Sequence, residues 1–97
     1  MIIKLIPEAE IDLKNSLKYY KNISKGISDK FLKDLDITFE KIKNNPELYP
    51  FETKYSQKVL MGDFPYIIFF TIYKTSIIIL AIFHTSRNPN ILEERLS

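Results

Sequence analysis

The sequence predicts an α+β fold in which a helical hairpin packs on an antiparallel sheet, in the order β-α-α-β-β-β with a short helix at the end. Two observations carry this expectation. Apolar residues recur at helical spacing through two stretches of the first half, and the pattern then shifts to short, Ile- and Phe-rich runs typical of strands. A third observation sets the scale: 97 residues with only 2 glycines and 5 prolines contain nothing like a linker, so residues 1–97 read as a single domain.

Each element has its own local cause. Ile2 to Ile6 is a β-prone run ending at Pro7. Proline suits a first helical turn, where its missing N–H goes unused. Glu8, Glu10 and Asp12 crowd the start of the helix, where the dipole favours negative charge. Ala9, Leu13, Leu17 and Tyr20 follow on one face, giving a first helix over about 7–22. The stretch Asn22 to Ser28, with Gly26 inside it, reads as a connector, and Ser28 as the cap of a second helix over about 28–44. Phe31, Leu32, Leu35, Phe39 and Ile42 form its apolar face, and Asn44-Asn45-Pro46 stops it.

Beyond the loop around Pro46 to Pro50, Gln57 to Met61 reads as a strand followed by a turn at Gly62-Asp63. Tyr66 to Tyr73 and Ser76 to His84 are the next two, joined by a turn at Lys74-Thr75. The last run is almost continuously apolar, which predicts a central strand covered on both faces or nearly so. Asn88-Pro89 opens a final helix containing Leu92 and Leu96. Local pattern does not say where the first strand pairs. Its apolar character points to a sheet edge.

Composition excludes several classes of function. Apolar residues make up 45% of the chain, enough for a core, so disorder is excluded. Without cysteine there is no disulfide and no thiolate metal site, and a single histidine leaves no multi-histidine metal cage. No cofactor is expected. The start lacks the pattern of a signal peptide, and the greasiest stretch, Tyr66 to Phe83, falls short of the ~20 apolar residues of a membrane helix. A cytoplasmic protein with no membrane association is therefore expected. The net charge of +2 hides an asymmetry: residues 53–92 carry Lys54, Lys58, Lys74 and Arg87 against Asp63 alone. That bias can face an anion.

The chemistry-bearing cluster is His84-Thr85-Ser86-Arg87, where the most apolar strand ends. Arg87 has a planar fork suited to phosphate or carboxylate, and His84 can titrate near neutrality. Sheet pairing is expected to bring Lys58 near, with Tyr66 opening the neighbouring strand, so that Lys58, Tyr66 and Arg87 form a cationic patch with an aromatic neighbour. His84 and Tyr66 can equally serve as packing residues, Arg87 can pair with a carboxylate, and Lys58 can be a surface lysine. The alternating charges on the outer faces of the two helices read as solvated surface.

Several short motifs fall in a fixed order: Asp12-Leu13, Tyr19-Tyr20, Asn45-Pro46, Tyr49-Pro50, Phe64-Pro65-Tyr66-x-Ile68-x-Phe70 and His84-x-x-Arg87-x-Pro89. Together, over about 9–89, they make the chain resemble the ParE/RelE superfamily of bacterial type II toxin–antitoxin toxins, also called plasmid stabilisation proteins. The resemblance implies a small growth-inhibiting toxin neutralised by a cognate antitoxin, with a toxin–antitoxin hetero-oligomer as the expected assembly. It implies one of two targets: DNA gyrase for ParE-like members, or mRNA on the ribosome for RelE-like endoribonucleases. Lys58, Tyr66, His84 and Arg87 are the target-binding candidates, and His84, Arg87 and Lys58 would be catalytic only in a ribonuclease. Where the nucleases place an arginine at the start of the third strand, this chain has Tyr66, and no tyrosine follows Tyr73. The resemblance therefore leans to the ParE-like branch and away from an enzyme. An inactive relative is the remaining alternative. An apolar patch left uncovered between hairpin and sheet is the expected seat of the antitoxin.

Overall fold

A computed structural model describes residues 1–96; Ser97, the last residue of the expected domain, lies outside them. The chain runs β1 (Ile2–Leu5), α1 (Pro7–Ile23), α2 (Lys25–Asn44), a single 3-10 turn at Pro46–Leu48, β2 (Gln57–Leu60), β3 (Tyr66–Tyr73), β4 (Ser76–His84) and α3 (Pro89–Leu96). The expected α+β order is present. The four strands lie in the order β1-β4-β3-β2. The meander β2-β3-β4 is antiparallel, and β1 takes the free edge of β4 in parallel register, from Ile2 opposite Ser76 to Leu5 opposite Ile79. The edge position matches the apolar reading of Ile2 to Ile6. Two helices and two strands intervene before β4, a connection long enough to allow the parallel direction.

The connector between the helices is shorter than the sequence suggests. Ser24 alone separates α1 from α2: its N–H donates to Tyr20 O at 2.9 Å, closing α1, and its Oγ accepts the N–H of Ile27 at 3.1 Å, capping α2. Ser28, expected as the cap, instead lies inside the helix and donates its hydroxyl to Lys25 O. Gly26 sits in the first turn of α2, where its helix penalty of about 1 kcal/mol is offset by the Ser24 cap.

α1 and α2 cover one face of the sheet. Phe31, Leu35 and Ile42 of α2 and Ala9 and Tyr20 of α1 pack against Ile68, Phe70, Ile77, Ile79 and Ile82. α3 covers part of the other face, with Leu92 and Leu96 over Phe69, Ala81 and Phe83. The prediction for β4 thus holds for its second half, while Ile78 and Leu80 stay half-buried.

Side-chain alternation along β4 breaks at one point. Phe70 pairs with Ile79 but Phe69 pairs with Ala81, so Leu80 is an extra residue, a β-bulge. Before it, Ile77 and Ile79 face the helical hairpin. After it, Ile82 and His84 do, and Ala81 and Phe83 turn to α3. A strict period of two would have placed Phe83 with Ile79 and sent His84 to the other face.

Two buried carboxylates tie the elements together. Asp34 of α2 accepts three backbone N–H groups of the β2–β3 loop, from Gly62 at 3.2 Å, Asp63 at 2.9 Å and Phe64 at 3.1 Å. Asp12 of α1 accepts the N–H of Ile82 at 3.0 Å. β1 ends opposite Ile79, so the β4 edge beyond it has no strand neighbour, and the carboxylate takes that place. Among the described residues, no helix is long and apolar enough to cross a membrane.

Candidate functional site

A groove of about 530 Å³ opens between α1 and the paired ends of β3 and β4. This is where the sequence placed an uncovered apolar surface. Asn15, Tyr19 and Ile23 of α1 line one side, and Tyr66, His84 and Ser86 the other. Tyr19 is 62% exposed and Ile23 55%. Below them lies a cluster of rings. Tyr20 is stacked on Phe31 with centroids 5.2 Å apart, and Phe64 and Tyr66 pack edge-on to both. Burial first, and then the neighbouring Tyr66 and Tyr19, push the Tyr20 phenol up to about 12.

His84 and Tyr66 meet at the paired strand ends. They are register partners across β3 and β4, with ring centroids 5.1 Å apart at 84°. Tyr66 is buried, 6% exposed, and belongs to the main core. The His84 ring is fixed from the turn that follows: Nδ1 accepts the Ser86 N–H at 3.1 Å, with Ser86 Oγ at 2.7 Å. An amide N–H can only donate, so Nδ1 is an acceptor and the proton of the neutral imidazole sits on Nε2. In this state His84 offers a donor, not a base, to whatever enters the groove.

The expected cationic patch is not assembled, and two residues need correction. Lys58 is opposite Phe69, whose side chain belongs to the α3 side of the sheet. It therefore stands on the face away from His84 and Tyr66, with β3 between β2 and β4, and its Nζ pairs with Glu52 at 2.8 Å. The reason is parity: Lys58 pairs with Phe69, three residues from Tyr66, and an odd step reverses the face. Arg87 does reach the groove, but its guanidinium lies 3.2 Å from Asp12 Oδ1 and 4.2 Å above the Phe83 ring. Lys54 and Lys74 lie over the rings of their neighbours Tyr55 and Tyr73. The positive bias of residues 53–92 is thus dispersed over the molecule.

Sequence reasoning missed the hub of this region, Asp12. Besides holding Ile82, its carboxylate receives Arg87 and, from α3, Arg95 at 2.5 Å. Two guanidiniums around one carboxylate leave the cluster with a charge of +1. An acid near the start of a helix, behind Glu8 and Glu10, reads as a dipole partner. The signal that distinguishes Asp12 is its position on the face of Ala9, Ser16 and Tyr20, all buried.

A helical hairpin over a four-stranded sheet, with an aromatic groove where α1 crosses the strand ends, makes this a small α+β domain with a candidate binding groove. The family model described as "ParE toxin of type II toxin-antitoxin system, parDE" matches residues 3–89, and the chain belongs to that family. No curated protein matches it in sequence. Among solved structures, a chain from "Chromosomal ParDE TA system from P. aeruginosa" is similar in fold, with a TM-score of 0.68 at 21% identity, covering 87% of this chain and 95% of that one. The family match ends at the first residue of α3.

Proposed function

We propose that this chain is the toxin of a type II toxin–antitoxin pair that arrests growth by binding DNA gyrase, and that its cognate antitoxin neutralises it by occupying the α1 groove. The ParE family match supports the toxin reading. The distribution of the polar residues supports a binding role over RNA cleavage. Metal-free cleavage of RNA needs a base for the 2′-hydroxyl, cations on the phosphorane and an acid for the leaving oxygen, all converging on one point. Here Lys58 is on the opposite face of the sheet, Arg87 is engaged by Asp12, and His84 carries its proton on Nε2. The single observation that carries the reading is the separation of Lys58 from His84.

The test is expression in bacteria with and without the neighbouring reading frame, with plasmid supercoiling and transcript integrity followed in the same cells. The expected outcome is growth arrest with loss of supercoiling, intact transcripts, and relief by the neighbour. Transcripts cut at defined sites by the wild-type chain but not by His84→Ala would overturn the proposal.

A further inference from the structure

α3 is lightly anchored. None of its residues is buried, whereas α1 and α2 bury several each. It rests on the sheet through Leu92 and Leu96, which pack on Phe69, Ala81 and Phe83 in a cluster separate from the main core. Its last turn is tied down by Arg95. That guanidinium donates to both oxygens of Asp12, at 2.5 and 3.3 Å, and lies 5.4 Å from the centre of the Phe83 ring. Asn88 closes the first turn, its side chain accepting the N–H of Asn90 at 3.0 Å. Eight residues fall well short of the ~12–15 at which an isolated helix becomes even marginally stable in water. Docking and helix formation are therefore one event in α3.

The chain just before α3 is anchored independently. Thr85 donates its N–H to Pro65 O at 2.9 Å, and Arg87 donates its N–H to His84 O at 3.0 Å. The Arg87 guanidinium sits on Asp12 Oδ1 at 3.2 Å and 4.2 Å above the Phe83 ring. Two arginines thus serve one carboxylate and one ring, Arg87 from before the Asn88 joint and Arg95 from beyond it. Were Arg95 the sole counter-ion, lifting α3 would strand a buried charge. With Arg87 in place, Asp12 keeps a partner and the cluster passes from +1 to neutral. The closed form carries the opposite defect, two like charges about one carboxylate. We infer that α3 is a strap that lifts from the sheet and re-docks while the rest of the chain stays folded, with Arg87 as the counter-ion of the open form. An element with few buried contacts is the first to open. Opening bares Phe69 and Phe83 on the sheet face away from the helical hairpin, rings that are 1% and 3% exposed when the strap is closed. Arg87 also lines the groove, so strap and groove meet at one carboxylate. The inference is independent of what fills the groove and of which target the chain has.

The test is native-state hydrogen exchange, followed residue by residue by NMR on the full chain. It compares the wild type with Arg87→Ala, Arg87→Gln, Arg95→Ala and Leu92→Ala, and circular dichroism checks that each is folded. In the wild type the amides of Glu93 to Leu96 should exchange about a hundredfold faster than those of β3 and β4. Arg95→Ala and Leu92→Ala should each speed α3 exchange about tenfold and leave the α2 amides unchanged. The Arg87 variants decide the matter. Each removes a contact from the cluster, yet each should slow α3 exchange about threefold, because the open form loses its counter-ion and the closed form loses a like charge. A cluster that serves only as static glue gives the reverse sign. The inference is overturned if the α3 amides exchange in step with those of β4. It is also overturned if Arg95→Ala and Leu92→Ala leave α3 exchange unaltered, or if the Arg87 variants speed it or leave it as in the wild type.

Discussion

Asp12 and Arg95 are 83 residues apart in the chain and in direct contact in the fold, N to O at 2.5 Å. The first helix is thereby joined to the last through a carboxylate that also holds the β4 edge and Arg87. Because Asp12 is buried while Arg87 is partly exposed, the three members of this cluster do not contribute equally.

Asp12→Ala is expected to cost about 2–4 kcal/mol, since it strands the Ile82 N–H and leaves two arginines without their counter-ion. Arg87→Ala is expected to cost at most about 1 kcal/mol, because solvent screens a side chain that is 39% exposed. Arg95→Ala should fall between them. Urea denaturation of the three variants measures the order, and an Arg87→Ala loss equal to that of Asp12→Ala contradicts it.

The loop before β3 depends on Asp34 in the same way. Asp34→Ala leaves three loop N–H groups without their acceptor and is expected to destabilise the chain by about 2–3 kcal/mol. Gly62→Ala is a finer probe. A Cβ there would come within 3.1 Å of Asp34 Oδ1, so a smaller loss is expected, and it should shrink when measured in an Asp34→Ala background. A double-mutant cycle by thermal melting checks the coupling.

Tyr20 gives a pH dependence with a defined sign. Its phenol is pushed from 10.0 to about 12, so the folded state favours the neutral form. The associated stability is complete below pH 10 and is lost as the pH rises through about 12. Tyrosinate absorbance should show one late-titrating group, and Tyr20→Phe should remove it and flatten the alkaline fall in stability.

The proton on His84 is open to direct observation. Long-range nitrogen–proton NMR of the neutral ring should place it on Nε2. Ser86→Ala keeps the backbone N–H and should leave the tautomer unchanged, whereas Ser86→Pro removes the donor and should release it. A proton on Nδ1 in the wild type would contradict the reading of His84 as a donor to the groove.

Most of the fold was legible in the sequence because each element is specified locally. Ala9, Leu13, Leu17 and Tyr20 mark α1 by spacing alone, and Tyr66 and His84 each stand at a strand end that their neighbours define. The helix joint was misplaced because three small residues near it, Ser24, Gly26 and Ser28, send competing signals, and only the Ser24 hydrogen bonds decide among them. The parallel pairing of β1 depends on partners more than 70 residues away. The misplaced side chain, Lys58, was a matter of face: a residue can be near in strand order and still look the wrong way. Asp12 was hidden for the opposite reason, because a charge at a helix start already has an ordinary explanation.

Leu80, the surplus residue of β4, is a change of length that the sheet absorbs. Deleting it would set Ile79 directly before Ala81 and restore a plain period of two, with Ile82 and His84 still toward α1 and Phe83 still toward α3. The pleat swallows the surplus residue as a local kink, and the groove and the α3 seat are what a strand one residue shorter would present.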